Sequence, residues 1–183
     1  NKTPLLNIRV NTLKIEKEEL KDRLSKIGFK VKYGEYAKDS LIVENPQGII
    51  ETREFKNGLF TVQDESSMLV SQVMNPREGS VVLDVCAAPG GKSTHMGQIM
   101  KNQGKIISKD VFKHKIGLIK DNDNRLGIDI IKTEVFDALN RDESLANKVD
   151  YCLLDAPCSG LGLIRRKPEI KWNRKEEDLK ELS

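Results

Sequence analysis

Apolar and polar residues alternate at the start of the chain, where Leu6, Ile8 and Val10 are separated by Asn7, Arg9 and Asn11. A period of two is the pattern of a half-buried strand and predicts one here, with its polar face turned outward. The period then lengthens. Leu13, Leu20, Leu24 and Ile27 recur at near-helical spacing among Glu and Lys, and Gly28 supplies the left-handed position that ends such a helix. Val31-Lys32-Tyr33 and Ser40-Leu41-Ile42-Val43-Glu44 read as two more strands, a hairpin or meander, closed by Asn45-Pro46-Gln47-Gly48. Strand, helix, strand, strand fits a fragment of a split βαβ, and predicts a small α+β (RRM-like) subdomain over 1–60. That shape holds RNA in some proteins and serves other ends in others, so RNA contact by this unit stays open.

Asn57-Gly58 marks a turn, and Asp64 stands where it can cap a helix running to Met74, with Met68, Leu69 and Val73 as its inner face. Asn75-Pro76 stops that helix. From Ser80 onward apolar strands alternate with amphipathic helices: strands over 81–85, 105–108, 129–133 and 149–154, and helices over about 92–101 and 112–126. A βαβαβ series of this kind predicts a parallel sheet with right-handed crossovers, placed here in a second domain over 61–183. The fold class is therefore α/β, preceded by the small α+β unit.

Composition narrows the class without naming it. Of 183 residues, 38% are apolar and 32% charged, enough for a core under a heavily charged surface. The net charge of +3 is a weak argument for a polyanionic partner. Local charge says more: Arg165, Arg166, Lys167, Lys171, Arg174 and Lys175 face the single acid Glu169, with Trp172 among them. A solvated basic loop and a nucleic-acid contact both fit that run. Cys86, Cys152 and Cys158 are odd in number and lack C-x-x-C spacing, which argues against a disulfide framework and suits a reducing cytoplasm. Cys152, inside an apolar run, reads as a buried structural thiol. No apolar run approaches the ~18 residues of a membrane span, and Asn1-Lys2-Thr3-Pro4 has no signal-peptide core. The missing initiator Met suggests a piece of a longer chain. His95 and His114 have no second ligand at metal spacing and read as surface or packing residues, so no metal is expected.

The chemistry concentrates in two motifs. Leu83-Asp84-Val85-Cys86-Ala87-Ala88-Pro89-Gly90-Gly91-Lys92-Ser93 is a strand entering a tight turn and a helix. Ligands of an open parallel sheet bind at the carboxyl ends of its strands, where small residues let backbone amides approach the cofactor. Ala87, Ala88, Gly90 and Gly91 meet that demand, Pro89 stiffens the turn and Lys92 opens the helix. Asp110 closes the next strand, twenty residues beyond Gly90, where a nucleotide-binding sheet places a carboxylate for both ribose hydroxyls. Asp137 follows the third strand, where it can accept from the exocyclic amine of an adenine. Gly91-Lys92-Ser93 also has the ending of a phosphate loop, but Cys86 occupies the first glycine position and Pro89 lacks an amide that the phosphate nest needs.

The second motif is Asp155-Ala156-Pro157-Cys158-Ser159-Gly160, at the end of the fourth strand. Pro157 and Gly160 mark an exposed turn, which sets Cys158 apart from a buried thiol. Methylation of cytosine at carbon 5 requires a thiolate on carbon 6 and an acid on nitrogen 3 of the ring. From the residues alone, Cys158 fits the first role and Asp155 the second.

Together, Asp84-Val85-Cys86-Ala87-Ala88-Pro89-Gly90-Gly91-Lys92, Asp155-Ala156-Pro157-Cys158-Ser159-Gly160 and the later Gly162, Arg165, Arg166, Pro168, Glu169 and Trp172 resemble the Sun/Nop family of RNA cytosine-5 methyltransferases. The chain is most similar to its bacterial RsmB/Sun type, which modifies small-subunit ribosomal RNA. Leu6-Asn7-Ile8-Arg9-Val10-Asn11 and Val62-Gln63-Asp64-Glu65-Ser66-Ser67 extend the likeness over nearly the whole chain. The resemblance implies a Rossmann-like S-adenosylmethionine-dependent methyltransferase sheet. It implies a cofactor site lined by Cys86 to Lys92 and completed by Asp110, Asp137 and Asp155. The place of the basic run, directly after the thiol motif, leads us to expect RNA contact by Arg165, Arg166, Lys167 and Lys171. The resemblance implies ribosomal RNA as partner and the cytoplasm as setting, with neither DNA nor membrane expected; a member acting on transfer RNA, which shares these motifs, and a non-catalytic cofactor- or RNA-binding fragment are the alternatives. It also revises the role of Cys158: the family's attacking cysteine lies in a Thr-Cys-Ser motif on a further strand, and Cys158 matches the thiol that helps release product. No Thr-Cys-Ser occurs in this sequence. The resemblance therefore leads us to expect a central fragment, with its C-terminal strands missing and inactive by itself.

Overall fold

The alternating start of the chain forms strand β1, Leu6–Val10, and the helical run forms α1, Lys17–Lys26, in a computed structural model that describes residues 5–164 and 167–173. Helix α1 starts later than the spacing of Leu13 suggests. The Asn11 side chain accepts from the Leu13 amide at 3.2 Å and its carbonyl accepts from Lys14 at 2.9 Å. This local turn competes with the helix and leaves Leu13 exposed. Strands β2, Val31–Tyr33, and β3, Ser40–Val43, match their expected positions. Helix α2, Arg53–Lys56, and strand β4, Phe60–Val62, are additional, each too short for a period to register in sequence.

The first sheet has the order β2-β3-β1-β4. Both β1 and β2 pair antiparallel with β3, so they run parallel to each other with β3 between them, which is the split βαβ. Leu20 and Leu24 of α1 pack on Ile8, Val10, Leu41, Val43 and Phe60 with no side chain of this group exposed. Each such side chain contributes about 1.5–3 kcal/mol by leaving water. The other face departs from expectation. Arg9 and Asn11, predicted to face outward, are fully buried. Asn11 Nδ2 donates to the carbonyls of Gly58 at 2.8 Å and Leu126 at 2.7 Å, and Arg9 reaches residues of the second sheet's first helix.

Helix α3, Glu65–Met74, follows with Asp64 at its N-cap and Asn75 in the left-handed region at its end. The second sheet then comprises β5, Val81–Asp84, β6, Lys105–Asp110, β7, Ile131–Val135, and β8, Tyr151–Leu153, with helices α4, Gly91–Ile99, and α5, Lys113–Leu126, between the first three. All neighbours are parallel and the order is β7-β6-β5-β8. The chain thus moves outward from β5 and returns to its other side, and the reversal leaves a crevice at the strands' carboxyl ends.

Val82, Ile106 and Leu153 face Met96 of α4 and Met100 at its C-cap, and Ile116 and Ile119 of α5 pack beside Ile131 and Ala87. Register puts Cys152 opposite Leu83, on the side away from these helices. That explains why Cys152 is exposed and is not the buried thiol expected from its apolar surroundings. Strand β8 is one of the sheet's two edges among the described residues, and Leu154 beyond it is exposed too.

Both sheets lie within one unit, Leu6–Asp155. A second unit holds Leu5 and the described residues from 156 onward, with a 3-10 turn at Leu161–Leu163 and a short helix α6, Ile170–Asn173. No helix among the described residues is long and apolar enough to cross a membrane.

Candidate functional site

Each of the four parallel strands delivers an aspartate at its carboxyl end. Asp84 and Asp110 are the last residues of β5 and β6, and Asp137 and Asp155 come two residues after β7 and β8. The strand order sets them in the row Asp137, Asp110, Asp84, Asp155. Carboxylates gathered along one edge repel each other and favour a cation among them. Lys92 answers part of that demand by pairing with Asp155.

The turn between β5 and α4 is tied to its surroundings through the backbone. The Ala87 amide donates to Lys109 of β6 at 2.8 Å, the Gly90 amide to Ala87 at 2.7 Å, and Asn122 of α5 donates its side-chain amide to the Pro89 carbonyl at 2.9 Å. Gly90, at φ +94, caps α4 in the left-handed region, and a Cβ there would stand 3.2 Å from Ile119. Both facts favour glycine. Helix α4 starts at Gly91, and the amides of its first turn have no partner within the helix, which makes this end attractive to a negative group.

Asp110 is oriented by two amides, Ala88 at 3.3 Å on Oδ2 and Phe112 at 3.1 Å on Oδ1. Asp137 is exposed and accepts from the Leu139 amide at 3.0 Å. Asp84, to which sequence reasoning gave no role, is buried beneath the turn. Ser93 donates to its carboxylate at 2.6 Å, and Ser108 donates to Ser93 at 2.9 Å. Burial pushes the Asp84 carboxyl up to about 6, above the level of a free aspartate. Burial, with the nearby Asp110 carboxylate, also raises the Cys86 thiol, which keeps it protonated and unfit as a nucleophile. A charged residue closing the apolar run Val81-Val82-Leu83 was the available signal for Asp84.

The structure therefore brings Cys86 to Lys92 together with Asp110, Asp137 and Asp155 at one edge of the unit Leu6–Asp155. Cys158 belongs to the second unit, where its thiol is exposed. Lys167 and Lys171 are exposed in the same unit. Arg165 and Arg166 lie outside the described residues.

Known proteins resemble this chain over nearly its whole length. Residues 71–183 match the family "16S rRNA methyltransferase RsmB/F", and residues 1–50 match the ferredoxin-like domain of RsmF/B-like methyltransferases. The chain is 44% identical to the probable ribosomal RNA small subunit methyltransferase B of Bacillus subtilis, over 98% of this chain and 40% of that protein. It is 34% identical to the human 28S rRNA (cytosine(4447)-C(5))-methyltransferase, over 95% of this chain and 22% of that one. The crystal structure of a methyltransferase homolog protein from Pyrococcus horikoshii superposes with a TM-score of 0.81 at 36% identity, covering 97% of this chain and 56% of that one. The chain thus spans less than half the length of these curated relatives. With more than half of its residues matched by the family model, the chain belongs to the RsmB/F family of 16S ribosomal RNA methyltransferases.

Proposed function

We propose that this chain carries the S-adenosylmethionine site of an enzyme that methylates carbon 5 of a cytosine in small-subunit ribosomal RNA. The observation that carries the reading is the aspartate row at the ends of β7, β6, β5 and β8 beside the glycine turn, in a chain of the RsmB/F family. S-adenosylmethionine has a sulfonium, an ammonium, a carboxylate, a ribose diol and an adenine amine. The acid row suits the two cations, and the first turn of α4 suits the carboxylate. Asp110, held by two amides, is the acceptor for the ribose hydroxyls, and Asp137 is the acceptor for the adenine amine. Bound there, the cofactor supplies an electrophilic methyl group.

Asp155 and Cys158 are the proposed catalytic residues. Asp155 meets the cytosine ring at nitrogen 3 as the acid, and Cys158 is the thiol that assists product release, a role taken from its motif. Lys167 and Lys171, with Arg165 and Arg166, are proposed to contact RNA phosphates. The cytoplasm is the proposed setting.

Titration of the protein with S-adenosylhomocysteine by calorimetry tests the cofactor site, and an absence of binding would overturn the reading. RNA binding is measured against a small-subunit ribosomal RNA fragment and a transfer RNA of equal length over a range of salt. Charge reversal at Lys167 and Lys171 is expected to flatten the slope of log affinity against log salt. Equal preference for the two RNAs would refute the ribosomal assignment.

A further inference from the structure

Arg9 is the bulkiest of the fully buried side chains among the described residues, and the cofactor site proposed above makes no use of it. From β1 its guanidinium crosses to the first turn of α4. Nη1 donates to the Gly91 carbonyl at 2.5 Å and to Gln63 Oε1, and Nη2 donates to the Thr94 hydroxyl at 2.9 Å. Thr94 in turn donates to the Gly90 carbonyl at 2.8 Å. Arg9 therefore holds both glycines of the turn, one directly and one through Thr94. Gln63 lies across Gly91 closely enough that a Cβ there would stand 3.6 Å from its Nε2.

The rest of the contact follows one face of the helix. Gly91, Thr94, His95 and Gln98 are spaced to share that face. Each engages β1 or the residue just before β3: His95 Nε2 meets Asp39 at 3.1 Å and Gln98 donates to the Val10 carbonyl at 2.9 Å. A guanidinium in such a place is costly, since its direct acceptors are neutral and an apolar side chain would fill the same volume. Burial accordingly draws the Arg9 pKa down to about 9.

We infer that Arg9 is a positioning residue for the cofactor turn: its planar fork fixes the Gly91 carbonyl and the Thr94 hydroxyl, so that the free amides of the first turn of α4 stay directed at the crevice. Cofactor affinity then depends on the seating of the first sheet against α4. A lysine cannot substitute, because a single ammonium does not present two parallel donors in a fixed plane. This inference rests on the cofactor reading given under Proposed function.

The test compares the unaltered protein with Arg9→Met, Arg9→Lys and Thr94→Val. Two readouts are taken: S-adenosylhomocysteine affinity by calorimetry, and amide hydrogen exchange over residues 88–94 in ligand-free protein. Arg9→Met and Arg9→Lys are each expected to weaken binding about tenfold or more and to speed exchange in the first turn of α4 while β5 and β6 stay protected. Thr94→Val, which removes one acceptor, is expected to do the same to a smaller degree. It carries the test should Arg9→Met unfold at the assay temperature. A purely structural role would lower the melting temperature but leave the affinity of folded protein and the local exchange unchanged, and that result would overturn the inference. Full affinity in Arg9→Lys would also overturn it, by showing that charge suffices. If the unaltered protein binds no S-adenosylhomocysteine, the cofactor reading fails, while exchange in the first turn of α4 still decides whether Arg9 orders it.

Discussion

Replacing Asp84 with Asn is expected to remove one contribution to the pH dependence of stability. Asp84 is 1% exposed, and burial raises its carboxyl from 3.8 to about 6 against the opposing hydrogen bond from Ser93. A folded-state pKa above the unfolded value means that the folded protein holds the proton more tightly. The stability from this group is fully present below pH 3.8 and is lost as pH rises through about 6. The interval corresponds to about 3 kcal/mol, an order-of-magnitude figure. Asparagine keeps an acceptor for the Ser93 hydroxyl and carries no charge at any pH. His95 runs the other way. Burial lowers its pKa from 6.5 to about 4, so its contribution is full above pH 6.5 and is lost as pH falls toward 4. Because the two windows overlap with opposite sign, the profile of the unaltered protein is flattened between them, and the difference between proteins isolates Asp84. Urea unfolding followed by circular dichroism from pH 4 to 8 should show Asp84→Asn gaining about 3 kcal/mol on the unaltered protein across that range, with the gain levelling off above about pH 7. A difference that stays constant with pH, or shrinks as pH rises, would refute the assignment of a destabilised buried carboxylate.

Asp110→Ala is expected to weaken S-adenosylhomocysteine binding by about 1.5–3 kcal/mol, the scale of a hydrogen bond to a charged group; unchanged calorimetric affinity would remove Asp110 from the site. Gly58→Ala is expected to cost at least about 2 kcal/mol in thermal unfolding. Gly58 has φ +69 and its Cβ would fall 1.8 Å from the Arg125 carbonyl, so a melting temperature equal to that of the unaltered protein would contradict the close approach of that backbone.

The parallel sheet was legible because its strands are apolar and its helices amphipathic over long enough stretches to show their period. The glycine turn between β5 and α4 was legible because glycines and acids fall at strand ends, where chemistry and backbone geometry ask for the same residues. Strand β4 and helix α2, of three and four residues, were not legible, because neither is long enough to repeat a pattern. Cys152 was misjudged for a related reason. An apolar run shows that a strand belongs to a sheet but not which of its faces the helices cover, and α4 and α5 cover the face of Leu153.

Arg9 and Asn11 show the deeper limit. Alternation separates two faces of a strand and assigns the polar one to water by default. In this fold that face meets helix α4 and the backbone near Gly58 and Leu126, so polar side chains become the groups that satisfy buried carbonyls. The same residue types at the same period fit both situations, and only the partner elements, contributed some fifty to over a hundred positions away, distinguish them. The pattern hid the residues that join the small sheet to the glycine turn because their acceptors are main-chain carbonyls and neutral side chains. Acceptors of that kind leave no charge of opposite sign to be noticed in the sequence, whereas Lys92 and Asp155, which do form such a pair, both fall inside motifs that sequence reasoning picked out.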